Sequence, residues 1–521
     1  MLDILIKGAR LIDGSGAPWR WADVGIYEGK IVYVGLGDEP DAKRAIHAKG
    51  MIVCPGFIDI HSHADTAVLR DPRRIPKITQ GVTTEVYSNC GHGIAPVTEM
   101  GKKLLLEDDP ATYGQTGFAW MSVAEYLDKV HSPAVNVAYL VPHGTLRLSV
   151  MGYDARPASK HEIEKMCALL KEGMQDGSFG LSTGLAYVPM SSCTTDEIAA
   201  LSKVAAESGG FLATHMRSYR EKVEECYDEM CHVAETTGIP VEISHYQAFG
   251  VCNWGRGAEL DEWIHKARQR DLDITFDSYP YDFSAGWLRN TIPPKYFEGG
   301  AQALNKALRD PAVRKALARE IGTVTPYDLN RLAIAGVNVP ELEHLVGKTL
   351  PQAADECGKH VLDFLCDTLI QDPQVAHVNF QGNADDAKTL ARSEFQMVGS
   401  DSIDLLPGQG KPHPRLWGTF PRFFRLYVKE DQVLSWEQAI YKMTGFPAWR
   451  LGLGTRGIIR PGYAADIVVF DPTSIQDNAT IESPELASNG IEFLIVNGTI
   501  EIDAGRITEQ RGGQVLKRGV H

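Results

Sequence analysis

Eight short apolar runs, most of them followed by an amphipathic stretch, constrain the fold of this chain more than any other feature. They lie at 52–60, 82–88, 135–141, 178–182, 211–215, 241–245, 273–278 and 395–400. Helical periodicity separates most of them, as at 161–175 and 195–208. Repeated β/α units build parallel sheets, and eight of them suggest an α/β fold closed as a (β/α)8 TIM-like barrel. A doubly wound sheet is the alternative. It is disfavoured because the polar clusters fall at strand C-terminal ends, the face where barrels keep their active sites.

A chain of 521 residues is too long for one ordinary core. Residues 1–54 and 456–521 are strand-rich, with runs such as Asp3-Ile-Leu-Ile and Ala465-Asp-Ile-Val-Val-Phe. Neither end has the apolar surface to stand alone, so the two are expected to pair into one small β-sandwich domain. Residues 55–455 would form the barrel. The interval at about 291–375 is too long for one crossover, and its helical run 301–320 points to an inserted helical subdomain. That insertion reads either as a wall over the site or as a peripheral decoration.

Hydrophobic content of 44% and charged content of 23% match a globular protein in water. A net charge of −15 and the lack of a basic cluster argue against nucleic acid as a partner. No apolar run approaches the roughly 20 residues of a membrane helix, so no membrane partner is expected. The N-terminus carries Asp3 and no small-residue cleavage site, unlike a signal peptide. Nine scattered cysteines suit a reducing compartment. The cytoplasm is the expected location, and assembly into a homo-oligomer stays open.

The strand ends carry the chemistry. The first run leads to His61 and His63; residues i and i+2 of a strand share a face, so both imidazoles can reach one metal ion. The second runs into Asn89-Cys90-Gly91, the fifth ends at His215, the sixth at His245 and the eighth at Asp401. Thiolate, imidazole and carboxylate are the ligands of a transition metal. Each has a plainer reading. His215 and His245 could be hydrogen-bonded core residues, Cys90 a buried thiol, and Asp401 a helix cap. The remaining histidines, among them His47, His131, His161, His232, His265, His360 and His521, read as exposed or structural.

Longer segments carry a resemblance. They include Pro55-Gly-Phe-Ile-Asp-Ile-His-Ser-His-Ala-Asp, Gly81-Val-Thr-Thr-Glu-Val-Tyr-Ser-Asn-Cys-Gly and His143-Gly-Thr-Leu-Arg. Gly180-Leu-Ser-Thr-Gly-Leu-Ala-Tyr-Val-Pro, Gly399-Ser-Asp and Pro412-His-Pro-Arg-Leu-Trp-Gly belong with them. On these the chain resembles the amidohydrolase superfamily, and within it the D-aminoacylases, or N-acyl-D-amino-acid deacylases. The resemblance implies zinc-dependent cleavage of the amide of an N-acyl-D-amino acid, giving a D-amino acid and a carboxylate. It implies that Cys90, His215 and His245 hold a tight zinc. His61 and His63, sharing Cys90, would form a second, weaker position. It makes Asp401 both a metal ligand and the general base that later protonates the leaving nitrogen. Arg415 would bind the substrate α-carboxylate, with Tyr187 and Tyr281 near the substrate. The fourth run has no lysine to be carbamylated and bridge two metals, and a thiolate from Cys90 could take that place.

The chain departs from the family pattern on the substrate side. Gln247 stands where the family usually has a carboxylate-binding lysine, and Ser402 follows Asp401 where a glycine is usual. The stretch between Asp401 and Arg415 is also longer. These changes leave a second substrate class in view: a cyclic amide, a dipeptide or a xenobiotic amide.

Overall fold

The structure is a computed structural model and describes residues 1–37, 40–297, 299–325, 327–405 and 410–519. His521 and part of the long stretch after Asp401 lie outside the described residues.

Eight parallel strands surround the centre: β1 (Phe57–Asp59), β2 (Val82–Tyr87), β3 (Asn136–Tyr139, continuing as Val141–Pro142), β4 (Gly180–Gly184), β5 (Phe211–His215), β6 (Val241–Ile243), β7 (Ile274–Ser278) and β8 (Gln396–Val398). Each pairs with the next from β1 to β8, with β3 bonded to β2 by its first half and to β4 by its second. The ring closes beyond the ends of β8 and β1. There Ser402 pairs with Ser62 and Ile403 with His63, in parallel. The backbone N–H of Asp401 donates to the His61 carbonyl at 2.8 Å. The closing seam therefore lies at the C-terminal mouth, beside the residues of chemical interest.

The helices follow from local rules. Ser159 caps Lys160–Gln175 through a reciprocal capping box with Glu162, and Thr194 caps Thr195–Glu207 by accepting from the Glu197 N–H. Their apolar faces place Met166, Leu170, Ile198 and Leu201 against Val141, Leu181 and Leu212 of the strands.

The expected first run, 52–60, divides at Gly56. Ile52–Pro55 joins a different sheet, pairing antiparallel with Ile467–Phe470, and Phe57–Asp59 enters the barrel. Gly56 sits so close to Thr83 that an added Cβ would lie 2.1 Å from its Oγ1. Only a residue without a side chain lets the chain pass there. The other sheet has nine strands and draws on both ends of the chain. Its strand Leu2–Leu11 changes partner at a bulge, pairing first with Ala42–His47 and then with Ile52 and Val53. Ile4, Ile6, Val24, Ile26, Ile467 and Ile495 pack into its core.

Between β7 and β8 the chain makes a long excursion with its own core of Leu304, Leu308, Leu332, Leu345 and Phe364. It is helical over much of its length. It also holds an antiparallel sheet of Ser284–Trp287, Ala376–Asn379 and Leu332–Gly336, which the sequence did not disclose. Those segments are only four or five residues long and show no extended alternation. The sheet lies over the barrel mouth, and Trp287, His377 and Asn379 line the same cavity as His215 and Asp401.

Candidate metal centre

Six side chains meet at the mouth. His61 and His63 follow β1, Cys90 lies past β2, His215 ends β5, His245 follows β6 and Asp401 follows β8. Cys90 Sγ is 3.3 Å from His61 Nε2, 3.9 Å from His215 Nδ1 and 3.6 Å from His245 Nε2. His215 Nδ1 and His245 Nε2 are 2.7 Å apart. Asp401 Oδ1 is 3.3 Å from His61 Nε2 and 3.1 Å from His63 Nε2. Tetrahedral zinc with bonds of about 2.0–2.3 Å would set its nitrogen and sulfur ligands about 3.3–3.8 Å apart. The spacings from Cys90 to His61 and His245 fall within that range, the one to His215 is slightly longer, and the His215 and His245 nitrogens stand closer. His61, Cys90, His245 and Asp401 offer ligand atoms all within 4.8 Å of one another. The donors fit a soft divalent ion held by Cys90, and Asp401 and His63 extend the cluster on one side.

The backbone is strained to achieve this. Cys90, His245 and Asp401 have φ of 53°, 38° and 49°, in the left-handed region that costs a residue with a Cβ about 1–3 kcal/mol. Specific bonds hold each turn. The His245 N–H donates to Asp277 Oδ1 at 3.0 Å, and Gly91 N–H donates to Ser182 Oγ at 3.1 Å. Asp277 also pairs with His61 Nδ1 at 2.8 Å. This fixes the ring so that Nε2 faces the centre, the outer-shell arrangement usual for a metal-bound histidine.

Electrostatics suit a cation. Burial pushes His215 well below its ordinary pKa and His245 down to about 4, so both rings are neutral and free to offer a nitrogen lone pair. Burial acts against the charge of His61 too, but Asp277, Cys90 and Asp401 outweigh it and hold that ring well above its ordinary value. Burial likewise opposes ionisation of Asp401, and Arg415 and His61 overcome it, holding the carboxyl well below its usual range. Burial raises the Cys90 thiol to about 11. Without a cation the thiol keeps its proton, and a bound metal would take the thiolate.

A cavity of about 410 Å³ opens above the centre, with His215, His245 and Asp401 in its floor and Tyr187 in its wall. Tyr187 Oη is 3.2 Å from His215 Nδ1. Arg415 lies behind Asp401, with Nη1 2.7 Å from Oδ2 and its guanidinium carbon 4.7 Å from the centre of the Tyr279 ring. Three of the expected substrate residues, Arg415, Tyr281 and Gln247, are not in the cavity wall. Tyr281 is buried among Phe283, His413 and Arg422 and is not part of the cavity wall; Tyr279 is. Pro280 between them breaks the two-residue period, so the sequence could not tell which ring faces inward. Gln247 is also outside the wall. It is buried and donates to the Tyr279 carbonyl at 3.3 Å.

Sequence reasoning missed Lys77. It is fully buried, with Nζ 2.6 Å from Asp59 Oδ2 and 2.7 Å from both Ser400 Oγ and Ser402 Oγ. Asp59 Oδ1 accepts from the N–H groups of His61 and Ser400. Lys77 thus ties the two segments that deliver His61 and Asp401. A lone lysine in a short helix reads as a surface residue, and no signal in the sequence distinguishes it. His92 and His377, both in the cavity wall, were also given no role.

A D-aminoacylase of Alcaligenes xylosoxydans xylosoxydans is 35% identical over 99% of this chain and 98% of its own. The solved structure of a D-aminoacylase with a binuclear metal centre superposes with a TM-score of 0.85 at 33% identity, covering 99% of this chain and 100% of that one. An N-acyl-D-glutamate deacylase from Bordetella bronchiseptica, solved with zinc and a phosphonate mimic of the tetrahedral intermediate, gives 0.83 at 32% identity, with 99% of each chain covered. The model of the amidohydrolase family matches residues 44–501, and the chain belongs to that family.

Proposed function

We propose that this protein is a zinc-dependent deacylase of N-acyl-D-amino acids, releasing a D-amino acid and a carboxylate. One observation carries the reading. A single anionic carboxylate, Asp401, lies within 3.3 Å of two imidazoles and 2.7 Å of an arginine, at the floor of a cavity that also exposes His215 and His245, with the buried Cys90 sulfur 3.9 and 3.6 Å from their ring nitrogens. Relatives named for D-aminoacyl, N-acyl-D-glutamate and N-acyl-D-aspartate substrates match along 99% of this chain, which favours this substrate class over cyclic or foreign amides.

Cys90, His215 and His245 would hold the tight zinc, with His61 and His63 completing a weaker position around the same sulfur and Asp401. Zinc held by these residues would supply Lewis acidity toward a carbonyl and would lower the pKa of bound water to about 7. Asp401 is ionised and can accept a proton from the attacking water. The same carboxyl then delivers that proton to the departing nitrogen, which becomes the amine of the product. Arg415 keeps Asp401 anionic, and its Nε, which has no hydrogen-bond partner among the described residues, is the position we assign to the substrate α-carboxylate. Tyr187, beside His215, faces the substrate carbonyl.

In this reading residues 55–455 carry the chemistry. The sheet made from 1–54 and 456–521 braces the base of the first strand. No helix among the described residues is long and apolar enough to cross a membrane. We place the enzyme in the cytoplasm, with self-association into a homo-oligomer as a further expectation.

The test is direct. Zinc-loaded protein should release amine from N-acetyl-D-amino acids, ignore the L-enantiomers and lose activity to a strong chelator. Turnover of L-substrates at equal rates, or no turnover of any N-acyl-D-amino acid by protein holding stoichiometric zinc, would refute the assignment.

A further inference from the structure

The strand Ala376–Asn379 of the excursion turns an unusual face to the cavity. Along His377-Val-Asn-Phe-Gln381, alternate side chains share a side. Val378 and Phe380 pack with Tyr281 and Phe283 in an apolar cluster. His377, Asn379 and Gln381 line the cavity instead. All three are buried, at 2%, 8% and 2% exposure. His377 Nδ1, Asn379 Oδ1 and Gln381 Nε2 have no hydrogen-bond partner among the described residues.

Arg220 joins them. It lines the same cavity; among the described residues its buried Nε and Nη1 have no hydrogen-bond partner, and Nη2 lies 3.1 Å from the exposed Glu221. The backbone ties Arg220 to the polar strand. Gly250 N–H donates to the Gln381 carbonyl at 2.9 Å, and a Cβ on Gly250 would lie 2.5 Å from Arg220 Nε. Gly250 therefore makes the space in which the guanidinium lies.

Buried polar groups are almost always paired in folded proteins. Four unpaired ones around one cavity, on two separate segments, mark a place for a polar guest. The other arginines of the wall are already spent: Arg217 is held by Glu229 and Arg289 by Asp108. We propose that His377, Asn379, Gln381 and Arg220 form the subsite for the far end of the substrate's side chain. It takes a D-amino acid whose side chain ends in a carboxamide or a carboxylate. Oxygen atoms of that group accept from Arg220 and Gln381, and a carboxamide also donates to Asn379. An aliphatic side chain would leave all of these groups buried and unpaired.

This inference rests on the deacylase reading, and the experiment separates the two. The first arm measures kcat/KM of the zinc-loaded wild type for N-acetyl-D-glutamine, -D-glutamate and -D-leucine. The second repeats this for Gln381→Leu and Arg220→Met. The third holds D-alanine fixed and compares acetyl with succinyl as the acyl group. Both polar side chains should exceed leucine by about 10- to 100-fold. Each substitution should lower the polar substrates about tenfold or more, with leucine unchanged or improved. Preference for leucine in the wild type, equal loss on all three substrates in the variants, or a gain that follows the succinyl group would each overturn the side-chain assignment while leaving the deacylase reading intact. Failure on every N-acyl-D substrate would remove both. The wild-type profile decides even if a variant does not fold.

Discussion

Cys90 is where a single atom decides the most. Its sulfur is the shared neighbour of His61, His215 and His245, and burial raises its thiol to about 11. A cation must therefore displace a proton to bind. Zinc uptake by the apo-protein at pH 7.5 should release at least one proton, from Cys90 and, as the second position fills, from His61, measurable as the buffer dependence of calorimetric heat, and zinc affinity should fall as pH falls. Cys90→Ala should abolish both the proton release and stoichiometric zinc; a variant that keeps one tightly bound zinc would show that the sulfur is not a ligand. The tyrosine pair tests the floor beside Arg415. Tyr281 Oη is buried with no hydrogen-bond partner among the described residues, so Tyr281→Phe should leave turnover unchanged and stability equal or about 1 kcal/mol higher. Tyr279→Phe removes a hydroxyl from a ring that lines the cavity and lies over Arg415, and should change KM. A large activity loss confined to Tyr281→Phe would reverse the two positions. The metal-side residues were legible in the sequence because each ends a strand run with a side chain that has few other reasons to be there. The substrate side was less legible, because Tyr279 and Tyr281 straddle a proline and Gln247 reports only on a backbone carbonyl.

Among the elements, the seam between β8 and β1 is the most exacting. The barrel strands could be read from eight apolar runs, but nothing in the sequence shows how the ring closes. Closure depends on Lys77, Asp59, Ser400 and Ser402, four polar side chains with no exposure, and their meeting is a tertiary event. The excursion's sheet was hidden for a similar reason: strands of four or five residues are specified by their partners more than by their own pattern. Breaking a buried pair by removing one partner costs about 3–5 kcal/mol, because the other charge is left stranded. Lys77→Met should cost about that much and should lower kcat more than it raises KM, since Asp401 loses the anchor of its flanking serines. Adding Asp59→Asn should recover much of the stability but not the rate. Chemical denaturation with metal saturating, alongside steady-state kinetics, would show it. Full recovery of rate in the double variant would mean that the seam is structural only.

At the scale of the whole molecule, the two ends of the chain are one object. Cys54 pairs with Val468 in the nine-stranded sheet, so the segment that enters the barrel as β1 is held from outside by strands more than 400 residues away. That sheet also carries the clearest pH liability outside the active site. Glu501 is 1% exposed, and burial pushes its carboxyl up to about 8, with Asp466 adding to the rise and the Gly512 N–H opposing it. Its Oε1 accepts from Gly512 at 2.7 Å and its Oε2 has no partner among the described residues. In the unfolded chain the same group titrates near 4.5. Between those two values the folded state holds a proton that the unfolded state has released, so this group's contribution to stability falls as pH rises from about 4.5 to about 8. Gln in its place cannot ionise and keeps the Gly512 bond. Glu501→Gln should therefore match the wild type near pH 5 and exceed it by about 1–3 kcal/mol near pH 8.5. Thermal melts of both proteins at each pH, in the same metal buffer, give the comparison. If the two curves stay parallel from pH 5 to pH 8.5, Glu501 is already ionised in the fold, and the pH response of this sheet must come from another group.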